Sequence, residues 1–300
     1  MLSVRERTGH LAQVMSVSAF SIGIIVQKGL TERYSAADVV VLQFAAASVL
    51  MWLICARLGY LPRKLSEFLP AVMWGCLTPG CVFLFASAGA QRTDGISVVL
   101  IWGLMPLIGP FLGRLFLGEK FHWSLPVGAL VAFGGLFVLT SDRQALGTGD
   151  MTGNILVVAG VFSAAVGQIF GRQLNTSGAP WFRIATLQIT GATLISLVVA
   201  LFDGNLTMLN SNDREAFISI AYLVVGMTMI NFIGYNLALS RIQIAWIAFY
   251  SALSPVLGTV TAGILLGELI RPFDVLGIVI IVSGVAIPHV LRIHRSRADR

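Results

Sequence analysis

Inside the long apolar stretches of this chain the polar side chains are few, and they recur at helical spacing. Thr228, Asn231 and Tyr235 follow each other at three- and four-residue steps, which on a helix puts them on one face. Trp246 and Tyr250 are four apart, with Ser251 and Ser254 close by. Trp74 and Thr78 share a face by the same rule, Ser163 and Gln168 lie on another stretch, and Ser97 and Trp102 on a further one. These groups offer amide and hydroxyl hydrogen bonds beside aromatic walls, and no charge. Such chemistry suits reversible binding of a small zwitterion, an amino acid for example. The polar ends meet amides and hydroxyls, and the side chain meets rings. The predicted substrate-binding set is Asn231, Tyr235, Trp102, Tyr250, Ser97, Ser163, Gln168, Trp74 and Trp246. The plainer reading of the rings is a membrane-interface belt, and of Ser and Thr a bond back to their own helix.

Signals of catalysis are missing. His10, His122, His289 and His294 form no HExxH, and the chain has no GxSxG, no GxxxxGK[ST] and no carboxylate pair in one run. No catalytic residue and no enzyme activity are expected. Cys55, Cys76 and Cys81 show no CxxC spacing, so no metal site and no cofactor are expected either. All 14 Asp and Glu residues fall in tails, loops or the ends of apolar runs. Glu119 and Glu268 each close such a run and read as anchors, within reach of Lys120 and Arg271. Lys28 and Arg172 read as side chains that snorkel outward from run ends. Gln43 and Gln188 read as helix-to-helix hydrogen bonders. Asn175-Thr-Ser177 and Asn205-Leu-Thr207 match the glycosylation pattern, a cheap three-residue match.

The elements that must carry these residues follow from composition. Hydrophobic residues make up 56% of the chain and charged residues 11%, with a mean hydropathy of +0.85. A soluble domain carries about 25% charged residues, so lipid must be the solvent here. The net charge of +6 does not point to nucleic acid, because the basic residues sit at the ends of apolar runs. A spanning helix needs roughly 20 mainly apolar residues. Ten such spans are read at 11–28, 37–57, 66–89, 94–115, 122–140, 151–173, 181–202, 215–239, 243–266 and 272–291. The first follows Arg5 and Arg7 without a clear cleavage site and reads as a retained helix.

An even number of spans puts both termini on one side. That side collects 14 of the 20 Lys and Arg residues and the other side six. The positive-inside tendency therefore predicts both termini in the cytoplasm.

The chain also repeats itself. LMPLIGPFLGRLFLGE at 104–119 returns as LSPVLGTVTAGILLGE at 253–268. Pro106 aligns with Pro255, Gly109 with Gly258, and Leu117-Gly118-Glu119 with Leu266-Gly267-Glu268, all 149 residues apart. Earlier matches are weaker: Leu42-Gln43 with Leu187-Gln188, and Phe20-Ser21 with Phe162-Ser163. The predicted units are 1–143 and 144–300, five spans each. Five is odd, so the second copy must enter from the opposite face, inverted about an axis in the membrane plane. Pro106 and Pro255, placed identically, are predicted hinges, as mid-helix prolines that kink a span. The pairs Gly109/Gly113, Gly167/Gly171 and Gly263/Gly267 read as tight helix packing.

This doubled phrase resembles the drug/metabolite transporter superfamily, in its ten-helix EamA-repeat branch, and within it the exporters of aromatic amino acids. The resemblance covers nearly the whole chain. It implies an all-α integral membrane fold, ten transmembrane helices in two inverted five-helix repeats around a central cavity. The first, third, fourth, sixth, eighth and ninth spans would line that cavity. It further implies a bacterial inner-membrane exporter of amino acids, aromatic and other apolar ones, working by alternating access in the lipid bilayer. The expected partner is a small zwitterionic solute, with no nucleic acid and a monomer as the expected state. The competing reading keeps the fold and carries a phosphorylated metabolite or nucleotide-sugar, which calls for Lys or Arg at the site.

Overall fold

The computed structural model describes residues 3–31, 33–62, 64–90, 92, 98, 101–120, 122–141, 151–203, 208, 213–267 and 269–298. Six helices are long and apolar enough to cross a membrane: Val4–Thr31, Ala37–Arg57, Met151–Thr176, Trp181–Phe202, Arg214–Leu239 and Ile244–Leu265. Three shorter apolar helices join them, Met105–Leu117, Ser124–Thr140 and Pro272–Pro288. The third span is interrupted: Leu65–Gly75, a π-helical stretch Cys76–Cys81, then Val82–Ala90. Helical elements thus fill all ten expected places. The first begins at Val4, ahead of the expected 11, because intrahelical hydrogen bonding does not stop where lipid does.

Two further expected spans are not continuous helices. The ninth runs Ile244–Tyr250, tightens into a 3₁₀ turn at Ser251–Leu253, and restarts as Ser254–Leu266. The fourth restarts at Met105 after a turn at 103–104. Pro106 and Pro255 lie in the first turn of these restarted helices. There the missing proline N–H leaves no hydrogen bond unmade. The predicted mid-helix kinks are therefore helix restarts, and the bend belongs to the turn just before each proline.

The duplicate phrase has a structural meaning. Its Leu-Gly-Glu triplet ends a helix: Gly118 and Gly267 have φ of 63° and 67°, left-handed caps that favour glycine. The offset of 149 also extends upstream of the phrase. Leu65 and Arg214 open the third and eighth spans, and Val82 and Asn231 resume each after its π stretch, Cys76–Cys81 and Leu223–Ile230. For the first two spans the offset is 145, as from Thr31 to Thr176 and from Ala36 to Trp181.

The fifth and tenth spans show that the copies are inverted. A methyl placed on Gly128 would sit 2.6 Å from the Gly284 carbonyl oxygen, and one on Gly284 2.7 Å from that of Gly128. Gly135 and Gly277 face each other in the same way at 2.8 Å. At the offset of 149, Gly128 corresponds to Gly277 and Gly135 to Gly284. Each glycine thus meets the counterpart of the other, the signature of a two-fold contact between antiparallel helices. The axis is perpendicular to the helices and lies in the membrane plane.

Both chain ends emerge on one face. The Arg5 guanidinium donates to the Ser240 carbonyl at 3.3 Å, and Pro288 packs against Gly128 near the start of the fifth span. On the opposite face Arg33 pairs with Asp213 at 2.8 Å, and Tyr34 donates to the same carboxylate.

Candidate functional site

Two polar seams without a carboxylate collect most of the predicted site residues. The first joins the first span to the eighth and ninth. Ser16 Oγ donates to Asn231 Oδ1 at 2.6 Å. The Tyr250 hydroxyl and His10 Nδ1 are hydrogen-bonded at 3.0 Å. The His10 ring stands edge-on to Trp246, centroids 5.1 Å apart at 87°. Gln13 Nε2 donates to the Ile247 carbonyl at 3.4 Å, and Ser21 donates to Ser254 at 3.0 Å. Asn231 at Ser16, and Trp246 and Tyr250 at His10, thus all face the first span, and all are buried. Trp246 is part of this interior stack and not of an interface belt.

The second seam joins the third and sixth spans. Thr78 leaves helical geometry at φ −138°, ψ 109°, and its hydroxyl donates to the Ser163 carbonyl at 3.2 Å. Gly167 and Gly171 bring the two helices close, with Thr78 against the first and the Trp74 ring against the second. Trp74, Ser163 and Gln168 are buried, and Trp74 Nε1 and Gln168 Oε1 have no hydrogen-bond partner. Trp102, half-buried, packs on Met105, Val161 and Ala164 beside this seam. Half-buried Tyr235 packs on the cluster that contains Trp74 and Tyr250. Ser97 lies outside the described residues.

Several expectations change. Thr228, Asn231 and Tyr235 do not share one face: Thr228 accepts from Gln43 Nε2 of the second span at 2.8 Å, while Asn231 faces the first. The π stretch Leu223–Ile230 adds residues per turn and shifts the register between them. Arg172 does not snorkel. It turns inward, pairs with Glu119 at 3.2 Å, and also donates to the Leu239 carbonyl. Glu119 therefore finds Arg172 and not Lys120, and its other oxygen accepts from the Ile244 N–H at 2.9 Å. Asn175, in a glycosylation pattern, is buried and donates to Asn236 Oδ1 at 2.8 Å.

Gln43 and Gln188 do bond between helices, and they do so symmetrically. Each reaches the π stretch of the opposite repeat: Gln43 to Thr228, and Gln188 Nε2 to the Thr78 carbonyl at 2.9 Å. Asn236 Nδ2 donates to Gln188 Oε1 at 2.8 Å and extends that side of the network.

Sequence reasoning missed His10, Gln13 and Ser16. Their three-residue spacing on the first span was the available signal. It also missed the Arg172–Glu119 pair, because residues 53 apart in sequence give no local pattern. A crevice of about 60 Å³ between the second, third and seventh spans, lined by Phe44, Gly80, Phe83 and Ala192, holds none of the predicted residues. Among the described residues no group of His, Cys, Asp or Glu could hold a metal ion.

An inverted pair of apolar helical bundles, with polar seams at broken helices, is the build of a multi-pass membrane carrier. The chain belongs to the EamA-like transporter family, whose model matches residues 7–141 and again 151–288. It is 30% identical over 211 residues to a probable amino-acid metabolite efflux pump of Escherichia coli (strain K12), covering 68% of this chain and 70% of that protein. A pump described in the same words from Salmonella typhimurium is 27% identical, over 59% of this chain and 61% of that one. An uncharacterized transporter of Archaeoglobus fulgidus is 25% identical, over 65% and 67%. One solved crystal structure superposes with a TM-score of 0.80 at 15% identity, covering 95% of this chain and 97% of its own, a likeness of fold alone.

Proposed function

We propose that this carrier exports amino acids, aromatic and other apolar ones, across a bacterial inner membrane by alternating access, with both termini in the cytoplasm. The names of the two efflux pumps support the solute class, and the 14-to-six distribution of Lys and Arg supports the orientation. The observation that carries the reading is the polar, carboxylate-free seam of Ser16, Asn231, His10, Tyr250 and Trp246. Its amide, hydroxyls and rings match an amino acid's polar ends and side chain without demanding a net charge. Asn231, Tyr235, Trp102 and Tyr250, with Ser97, Ser163, Gln168, Trp74 and Trp246, form the substrate path. Pro106 and Pro255 mark the hinges of two units, 1–143 and 144–300. Glu119, Arg172 and the start of the ninth span close the path on the terminal face. A phosphorylated solute fits less well, because Arg172 is already engaged by a carboxylate.

The test is flux of radiolabelled amino acids from proteoliposomes, with sugar phosphates as competitors. Export of aromatic amino acids is expected, with a loss of about ten-fold or more in Asn231→Leu and Trp102→Ala, the scale of one buried polar contact. Full flux in both variants would remove the site assignment. Inhibition by sugar phosphates without amino acid flux would remove the solute class.

A further inference from the structure

The turn between the fourth and fifth spans, on the terminal face, carries an open recess of about 710 Å³ lined by Phe111, Arg114, Lys120, His122 and Trp123. All five are exposed, Trp123 at 73% and Phe111 at 54%. Phe111 and Arg114 are three apart and share a face of the helix Met105–Leu117. Gly118 then reverses the chain with its positive φ, and Lys120, His122 and Trp123 return to the same recess just before Ser124 opens the fifth span. The recess lies where the apolar helix Met105–Leu117 ends and the turn to the fifth span begins. Leu115 and Phe116 on the same helix are exposed as well. None of the ion pairs among the described residues uses Arg114 or Lys120.

The internal repeat serves as a control. At the offset of 149, the corresponding positions read Val260, Gly263, Leu269, Arg271 and Pro272. One cation and no ring remain there, although the helix and its glycine cap are the same. The fold therefore does not require two cations and two rings at this turn.

We infer that this recess holds the headgroup of an anionic phospholipid from the leaflet on the terminal side. Arg114 and Lys120 meet the phosphate. Phe111 and Trp123 lie against the glycerol and upper acyl chain, at the depth where aromatic rings sit in a bilayer. A free phosphate would use the cations and leave the rings idle, so the two sources are separable. The inference is independent of the transported solute.

The experiment is native mass spectrometry of the full chain with phosphatidylglycerol or phosphatidylcholine, beside thermal unfolding with either lipid or with inorganic phosphate. Phosphatidylglycerol should be retained over phosphatidylcholine and should raise the midpoint. In Arg114→Gln/Lys120→Gln its affinity should fall roughly 30-fold, from about five-fold per cation near a membrane surface. Trp123→Ala should weaken it with the charge unchanged. The double variant should unfold like the wild type in phosphatidylcholine. If it does not fold, Lys120→Gln alone, on an exposed turn, is read for its five-fold loss. Equal retention of the two lipids, or unchanged affinity after loss of the cations, overturns the inference. So does an equal midpoint gain from inorganic phosphate, which would mark a site for soluble anions.

Discussion

Arg172 reaches Glu119 across the junction of the sixth span and the turn that ends the fourth, Nε to Oε1 3.2 Å apart. Their side chains are only 18% and 9% exposed. The pair also binds main chain at the two adjoining span ends, the Leu239 carbonyl and the Ile244 N–H. Four spans from both repeats thus meet at one ion pair. Removing one partner leaves the other charge buried. Arg172→Gln should cost about 3–5 kcal/mol of stability, and Glu119→Gln/Arg172→Gln clearly less than the sum of the singles. Thermal unfolding of the three variants checks this; additive losses would mean that the two side chains act separately.

Burial pushes the Glu119 carboxyl above its ordinary value, against the pull of Arg172 and of the Ile244 and Ala245 N–H groups. A carboxyl raised on folding binds its proton more tightly in the folded chain. Its contribution is fully present below the ordinary carboxyl range, about 4.3, and is lost as the pH rises through the raised value. The stability difference between wild type and Glu119→Gln should therefore shrink with rising pH over that window. Unfolding curves across the window read the sign directly, and a difference that grew with pH would mean that Arg172 outweighs burial.

Gln188 and Gln43 occupy matching places, yet their deletion should not cost the same. Gln188 donates to the Thr78 carbonyl, freed where the third span leaves helical geometry, and accepts from Asn236. Gln43 donates only to Thr228, whose hydroxyl still has the Leu223 carbonyl at 2.9 Å. Gln188→Leu strands the Thr78 carbonyl, while Asn236 Nδ2 keeps the Phe232 carbonyl at 2.8 Å, and should cost about 1–3 kcal/mol, the loss for one stranded group. Gln43→Leu should cost about 1 kcal/mol. Melting of the two variants in one detergent ranks them, and equal losses would contradict the asymmetry.

The sequence carried the architecture because the repeat, the apolar lengths and the basic asymmetry are each local or periodic. Gly118 and Gly267 stood out as part of a copied phrase, and the structure shows why the phrase ends in glycine. What stayed hidden depended on register and long-range geometry. The π stretch Leu223–Ile230 has no spacing signature, so three- and four-residue steps alone put Thr228, Asn231 and Tyr235 on one face. The restarts at Pro106 and Pro255 read as kinks, because a proline inside a long apolar run does not announce the turn before it. Arg172 read as a snorkelling cation because its carboxylate partner comes from the other repeat.

The crossing of the fifth and tenth spans gives a contrast between neighbours. Gly134 and Gly135 are adjacent on one helix. A methyl on Gly134 would meet nothing within 4 Å, whereas one on Gly135 would lie 2.7 Å from the Ile281 nitrogen and 2.8 Å from the Gly277 carbonyl oxygen. Those are backbone atoms, which cannot step aside as a flexible side chain can. Gly135→Ala should therefore push the helices apart and cost about 1–3 kcal/mol or more, as overpacking does. Gly134→Ala adds the same methyl in open space and should be neutral or stabilising by up to about 1 kcal/mol, the helix-propensity gain of Ala over Gly. Because Gly135 and Gly284 are counterparts under the two-fold, Gly284→Ala, whose methyl would sit 2.6 Å from the Ala132 nitrogen, should fall with Gly135→Ala. Three melting curves in one detergent suffice. A Gly134→Ala loss as large as that of Gly135→Ala would mean that helix flexibility, and not the close antiparallel contact, is what glycine supplies here.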